Sequence, residues 1–288
     1  MRDKIFFSFS VEGKIRMKKQ RLWPNWKINA QKWNNHLKRT IFDIWLFEEL
    51  ESEKQKEANF IVMETVKQIP YGMSNFEDVI MQNRYYVDKT MYIPLLEDQA
   101  NYLIFIRPRR FGKSLLLSML RSYYDLSQKD KFQQLFGNLW IGQHTTPLQG
   151  KYQILYLDFS KIGGSIDELP QRFDSYSAVQ LDGFLNRYRE YYTDEFIERF
   201  SAADKGIDKL HILDDEARRL GYPLYLIIDE YDNFTNVVLN EKGNEIYRAI
   251  THASGFYRDA FKNYKGMFDR IFMIGVSPVT LDDLSSGY

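Results

Sequence analysis

One stretch constrains the fold more than any other. Tyr102–Ile106 is a short apolar run rich in β-formers, which predicts a buried parallel strand. Arg107-Pro108-Arg109-Arg110-Phe111-Gly112-Lys113-Ser114 follows, and then the apolar Leu115-Leu116-Leu117-Ser118-Met119-Leu120, which predicts a helix running to about Asp125. A loop ending in Gly-Lys-Ser between a strand and a helix is where a phosphate chain fits. The helix N-terminus offers unpaired backbone N–H groups and the positive end of its dipole. Gly112 would let the backbone approach, Lys113 would reach the β- and γ-phosphates, and the Ser114 hydroxyl would hold Mg²⁺. The usual pattern has a second glycine five positions before Gly112, and Arg107 stands there instead. Read alone, the stretch also fits a basic turn before an ordinary core helix.

A second chemical centre is Pro223-Leu224-Tyr225-Leu226-Ile227-Ile228-Asp229-Glu230-Tyr231-Asp232. The apolar run predicts a central strand, and acids follow abruptly at its C-terminal end, where ligands of open α/β sheets bind. Adjacent carboxylates there fit phosphate hydrolysis: Asp229 would hold Mg²⁺, and Glu230 would polarise the attacking water. The alternative is a strand end emerging into solvent. Two more strands are expected, at residues 152–159 and 270–276, the second stopped by Ser277-Pro278. Ser277, with Thr280 behind it, is the candidate polar group for sensing the γ-phosphate.

Helical patterns separate these strands. Ser74-Asn75-Phe76-Glu77 predicts a capping box for a helix reaching Met81, and Ser165 with Glu168 predicts another for a helical region over residues 165–192. Further helices are expected over residues 129–136, 207–220 and 245–262, with residues 91–96 interrupted by Pro94. The alternation specifies an α/β fold with a mostly parallel sheet covered on both faces. Glu230 directly after Asp229 points to the additional-strand branch of the P-loop NTPases. Lys113 and the Asp229-Glu230 pair are expected on neighbouring strand ends facing one cleft.

Residues 1–62 differ in texture. Basic residues dominate through Arg39, and Trp23, Trp26, Trp33 and Trp45 are four of the five tryptophans. No nucleic-acid-binding module pattern is present, so an extension with a helix over residues 41–50 is expected there rather than direct nucleic-acid binding. The whole 288-residue chain has a formal net charge of zero, so no global pull toward nucleic acid or anionic membrane follows. It contains no cysteine, which excludes disulfides and thiolate metal sites. His36, His144, His211 and His252 show no ligand spacing. No Glu-x-Lys nuclease pattern follows Asp158, which argues against a nuclease centre built on Asp158 and Asp229-Glu230. No apolar run approaches the roughly 20 residues that span a bilayer, and the expectation is a soluble, cytoplasmic protein.

Taken together, Ile69-Pro70-Tyr71-Gly72 to Phe76, Tyr86-Val87-Asp88-Lys89-Thr90, the Arg107 to Ser114 loop, Asp229-Glu230-Tyr231-Asp232 and Ile274-Gly275-Val276-Ser277-Pro278 resemble the predicted AAA-ATPase-like family from about Lys67 onward. Arg107 in the loop is that family's own pattern. The resemblance implies a bacterial, ATP-binding, Mg²⁺-dependent ATPase, with a nucleotide-gated interaction module lacking turnover as the alternative. It implies Arg109, Arg110, Phe111, Gly112, Lys113, Ser114, Leu115 and Ser277 as nucleotide contacts, Ser114 and Asp229 as metal ligands, and Glu230 and Lys113 as catalytic residues. Arg248, Arg258 and Arg270 are the candidates for an arginine donated to a neighbouring subunit of a homo-oligomer. Relatives often continue into a restriction-endonuclease-like nuclease domain, which makes a nuclease the expected partner. They also begin near Met63 and carry a fifth strand and a helical lid. The expected division is therefore an extension, 1–62, and an ATPase-like domain, 63–288, cut before those elements.

Overall fold

The computed structural model divides the chain into two compact units, Met1–Val66 and Lys67–Tyr288. It describes residues 67–233 and 256–277, and two backbone strands in the first unit. Those strands, β1 (Phe6–Phe9) and β2 (Ile15–Lys18), form an antiparallel hairpin that the sequence reading did not foresee. The helix expected over residues 41–50 lies outside the described residues.

The second unit is built on four parallel strands: β3 (Tyr102–Ile106), β4 (Gln153–Asp158), β5 (Leu224–Asp229) and β6 (Arg270–Gly275). Their spatial order is β3-β6-β5-β4, all parallel. β6 is thus inserted between the loop strand and the acidic strand, the mark of the additional-strand branch. It also corrects one expectation, because β3 and β5 are not neighbours. All six residues of β5 are buried, whereas β3 is half-exposed along its whole length. The difference follows from position, since β3 is flanked on one side only among the described strands.

Strand side chains alternate between two cores. Ile154, Tyr225, Ile227, Phe272 and Ile274 face one helical layer, whereas Leu155, Leu157, Leu226, Ile228, Ile271 and Met273 face the other. The first layer contains α1 (Phe76–Met81), α2 (Ile93–Glu97), α3 (Lys113–Tyr124), α4 (Phe132–Phe136) and α5 (Trp140–Gln143). The second contains α6 (Leu169–Tyr188), α7 (Asp194–Ser201), α8 (Gly206–Leu220) and α9 (Phe256–Met267). Aromatic rings fill both cores, as where Phe76 stacks on Phe136 and Phe159 meets Phe173 and Tyr257 edge-on.

Local signals hold with corrections. α1 is capped by Asn75, whose side chain accepts from Glu77 N–H, rather than by Ser74. Pro94 lies in the first turn of α2, where its missing N–H has no partner to lose. The region after Ser165 begins as a 3₁₀ turn over Ile166–Glu168 before α6, which ends at Tyr188. α7 was not anticipated; Thr193 caps it by accepting from Phe196 N–H at 3.3 Å. Gly221 closes α8 at φ +76°, a left-handed turn suited to glycine. Residues 245–255 lie outside the described residues, and α9 runs past residue 262 to Met267.

The outer strand β4 is tied to both helical layers by one tyrosine. The fully buried Tyr188 hydroxyl donates to Asp125 Oδ1 at 2.9 Å and accepts from Ile154 N–H at 2.8 Å. Tyr188→Phe leaves that N–H without its partner and a buried carboxylate short of one donor. It should lower stability by ~1–3 kcal/mol in urea denaturation, with the m-value unchanged.

Candidate nucleotide-binding site

The loop between β3 and α3 is shaped by two left-handed residues, Arg110 (φ +68°) and Gly112 (φ +74°). No atom lies within 4 Å of where a Cβ on Gly112 would stand, so the glycine serves backbone conformation rather than crowding. Gly112 is the N-cap residue of α3, and its carbonyl accepts from Leu116 N–H at 3.0 Å. The N–H groups of Lys113, Ser114 and Leu115 therefore have no intrahelical acceptor. They sit at the positive end of a 12-residue helix whose first turn carries no acid. That is a ready anion cradle.

Lys113 is only 8% exposed, unusual for a lysine, and its Nζ lies 3.4 Å from Pro108 O, folded over the loop. Arg107 turns away: its guanidinium lies 4.4 Å above the Phe105 ring and donates to Ile106 O at 3.0 Å. Arg107 N–H bonds Gly275 O at 3.1 Å, so the loop leaves the sheet anchored to β6. Arg109, Arg110 and Phe111 are exposed, and Leu115 is half-buried on the first turn of α3.

The acidic strand end comes to this loop. Asp229 shares the sheet face of Ile227 and Tyr225, the face covered by α3, whereas Ile228 faces the other core. Ser114 Oγ donates to Asp229 Oδ2 at 3.3 Å, reaching across the position of β6. Tyr156 O–H also reaches Asp229 Oδ2, at 3.4 Å, and Asp158 stands in direct register with Asp229 on β4. Tyr156 was not assigned to this site from sequence, and Asp158 was grouped with Asp229-Glu230 only in the nuclease reading that was set aside. The period-two alternation from Asp158 back to Tyr156 was the signal that could have found them. Asp158 is partly committed elsewhere, accepting from Ser160 N–H at 3.0 Å and Ser160 Oγ at 2.6 Å.

The electrostatics favour a cation. Burial, then the charges of Asp158 and Glu230, push the Asp229 carboxyl above its ordinary value, while bonds from Glu230 N–H and Ser114 pull it partly back. Glu230 follows in a left-handed backbone, φ +52°, uncommon for a residue with a side chain. Ser277 lies just beyond β6, its amide held by Asp232. Among the described residues no three His, Asp or Glu side chains form an all-protein metal site. The oxygen donors that the structure brings together here are instead one hydroxyl, of Ser114, and one carboxylate, of Asp229, a pair of the kind that could hold a divalent cation.

Of the arginines considered for a neighbouring subunit, Arg270 starts β6 at the opposite end of the sheet, where it donates to Glu97 O at 3.0 Å. It lines a cavity of about 720 Å³ with Tyr102, Tyr152 and Lys265, which has no residue in common with the loop or the acidic strand end. Arg258 is half-buried on α9, and Arg248 lies outside the described residues.

A family model described as Predicted AAA-ATPase matches residues 70–285, most of the chain. The chain belongs to this family. No curated protein matches it. Membership of this family implies nucleotide use, and the four-stranded parallel sheet is consistent with a P-loop NTPase-like fold. No helix among the described residues is long and apolar enough to cross a membrane.

A raised carboxyl pKa means that the folded state holds the Asp229 proton more tightly than the unfolded chain does. The stability associated with that proton is present at acid pH and is lost as pH rises through the shifted value. In the absence of divalent cations, Asp229→Asn should therefore melt higher than wild type at neutral pH, the gap closing toward pH 4. Melting temperatures of both proteins across that range measure it.

Proposed function

We propose that this family member binds ATP with Mg²⁺ and hydrolyses its terminal phosphoryl group, driving an output through a partner. The observation that carries the reading is the Ser114–Asp229 contact at 3.3 Å, which joins the phosphate loop to the acidic strand end across β6. On this reading Lys113 and the free N–H groups of Lys113, Ser114 and Leu115 hold the β- and γ-phosphates. Arg109 and Arg110, exposed beside the loop, add positive charge where the phosphates enter. Ser114 and Asp229 would hold the metal ion, whose chemistry is charge neutralisation at the phosphoryl oxygens. Glu230 orients the attacking water and accepts its proton. The water oxygen bonds to the γ-phosphorus as the bond to the bridging oxygen breaks, and ADP leaves with that electron pair. Ser277 hydrogen-bonds the γ-phosphate. A homo-oligomer, a nuclease domain or another protein partner would receive the output, in a soluble, cytoplasmic setting.

Two substitutions test the assignment. Lys113→Ala removes a charge-assisted phosphate contact worth ~1.5–3 kcal/mol, so ATP should bind roughly tenfold to hundredfold more weakly in calorimetry. Glu230→Gln should bind ATP as wild type does while phosphate release falls at least a hundredfold. If both proteins bind ATP tightly and neither releases phosphate, the chain is a nucleotide-gated interaction module without turnover.

A further inference from the structure

Beyond Asp229 the chain does not run out into solvent. Glu230 turns it back through the left-handed region, Glu230 N–H bonds Asp229 Oδ1 at 2.9 Å, and Asn233 N–H returns to Glu230 O at 2.9 Å. The turn drives Tyr231 and Asp232 inward, to 0% and 1% exposure. Both then grip the end of β6. The Asp232 carboxylate accepts from Val276 N–H at 3.1 Å and from Ser277 N–H at 2.6 Å. The Tyr231 hydroxyl donates to Ser277 O at 2.7 Å, and Tyr231 N–H bonds Ile274 O at 3.3 Å. The Tyr257 hydroxyl donates to Tyr231 O from α9.

The backbone N–H and C=O of Ser277 are therefore both held by the two residues directly after Glu230. Gly275 permits the approach: a Cβ there would stand 2.4 Å from Asp232 Oδ1 and 2.6 Å from Tyr231 Cε1. A carboxylate this deeply buried satisfies two backbone N–H groups that an apolar side chain of similar volume could not, and their directions pin it in place. It is a means of fixing geometry.

We propose that Asp232 and Tyr231 are positioning residues that splice the ends of β5 and β6, so that Glu230 and Ser277 address the γ-phosphate as one rigid unit. This rests on the nucleotide reading above. It assigns to the second half of Asp-Glu-Tyr-Asp a task separate from metal holding and water activation.

The test compares ATP with ADP, both with Mg²⁺, on wild type, Asp232→Asn, Tyr231→Phe, Ser277→Ala and the Tyr231→Phe/Ser277→Ala double variant. Wild type should prefer ATP. Asp232→Asn and Tyr231→Phe should keep ADP affinity within about twofold and lose about tenfold of the ATP preference, the loss expected for one misplaced hydrogen bond. The double variant should lose no more preference than Ser277→Ala does, because the tyrosine acts through Ser277. A purely structural role would weaken ATP and ADP equally, and that result overturns the inference. So does an unchanged ratio in both variants, or a wild type with no preference for ATP. Tyr231→Phe keeps the buried ring and decides the matter if Asp232→Asn does not fold. Wild type that binds neither nucleotide sinks the function proposed above, whereas normal wild-type binding with unaltered variants sinks only the splice.

Discussion

A carboxylate buried at the end of a strand must be answered by something, and in this protein the answer comes from two strands away. Asp229 is 5% exposed, beside Glu230 in sequence and in register with Asp158, yet its partners are a serine and a tyrosine hydroxyl and a backbone amide. None of these carries positive charge, so the group stays raised in pKa and poorly compensated. A protein that needed only a stable sheet would have ended β5 on an apolar or amide side chain. On the function proposed above this carboxylate is where a cation and its phosphate would sit, and the loop, β6 and the turn after Glu230 all meet at it.

The inserted strand sets the spacing. With β6 between β3 and β5, the loop and the acidic strand end are separated by one strand, yet Ser114 still reaches Asp229. β6 is also joined to both: Arg107 N–H bonds Gly275 O on one side, and Asp232 holds Val276 and Ser277 on the other. The loop, β6 and the end of β5 are thereby one hydrogen-bonded assembly.

Much of this was legible in the residues. The four apolar runs are strands, the helix expected over residues 207–220 ends at the left-handed Gly221, and Asp229 closes its strand. What was not legible depended on non-local contacts. The sheet order requires knowing which strand lies beside which, and the apolar texture of Arg270–Gly275 does not say that it lies beside Tyr102–Ile106. Asp232 reads as one more acid of a polar turn, because burial at 1% exposure follows only once Glu230 reverses the chain. Arg107 reads as one of three loop cations, and only the Phe105 ring beneath it takes it out of the phosphate cradle. Thr193 resembles any loop threonine until α7 is folded beneath it.

The central claim is that Ser114 and Asp229 jointly hold a divalent cation at a bound triphosphate. Electron paramagnetic resonance of Mn²⁺, titrated with ATP and the protein, reads that contact directly. The account predicts a protein-bound Mn²⁺ signal that needs ATP and is lost in both Ser114→Ala and Asp229→Asn. A bound signal that survives both substitutions, or that forms equally well without ATP, would contradict it.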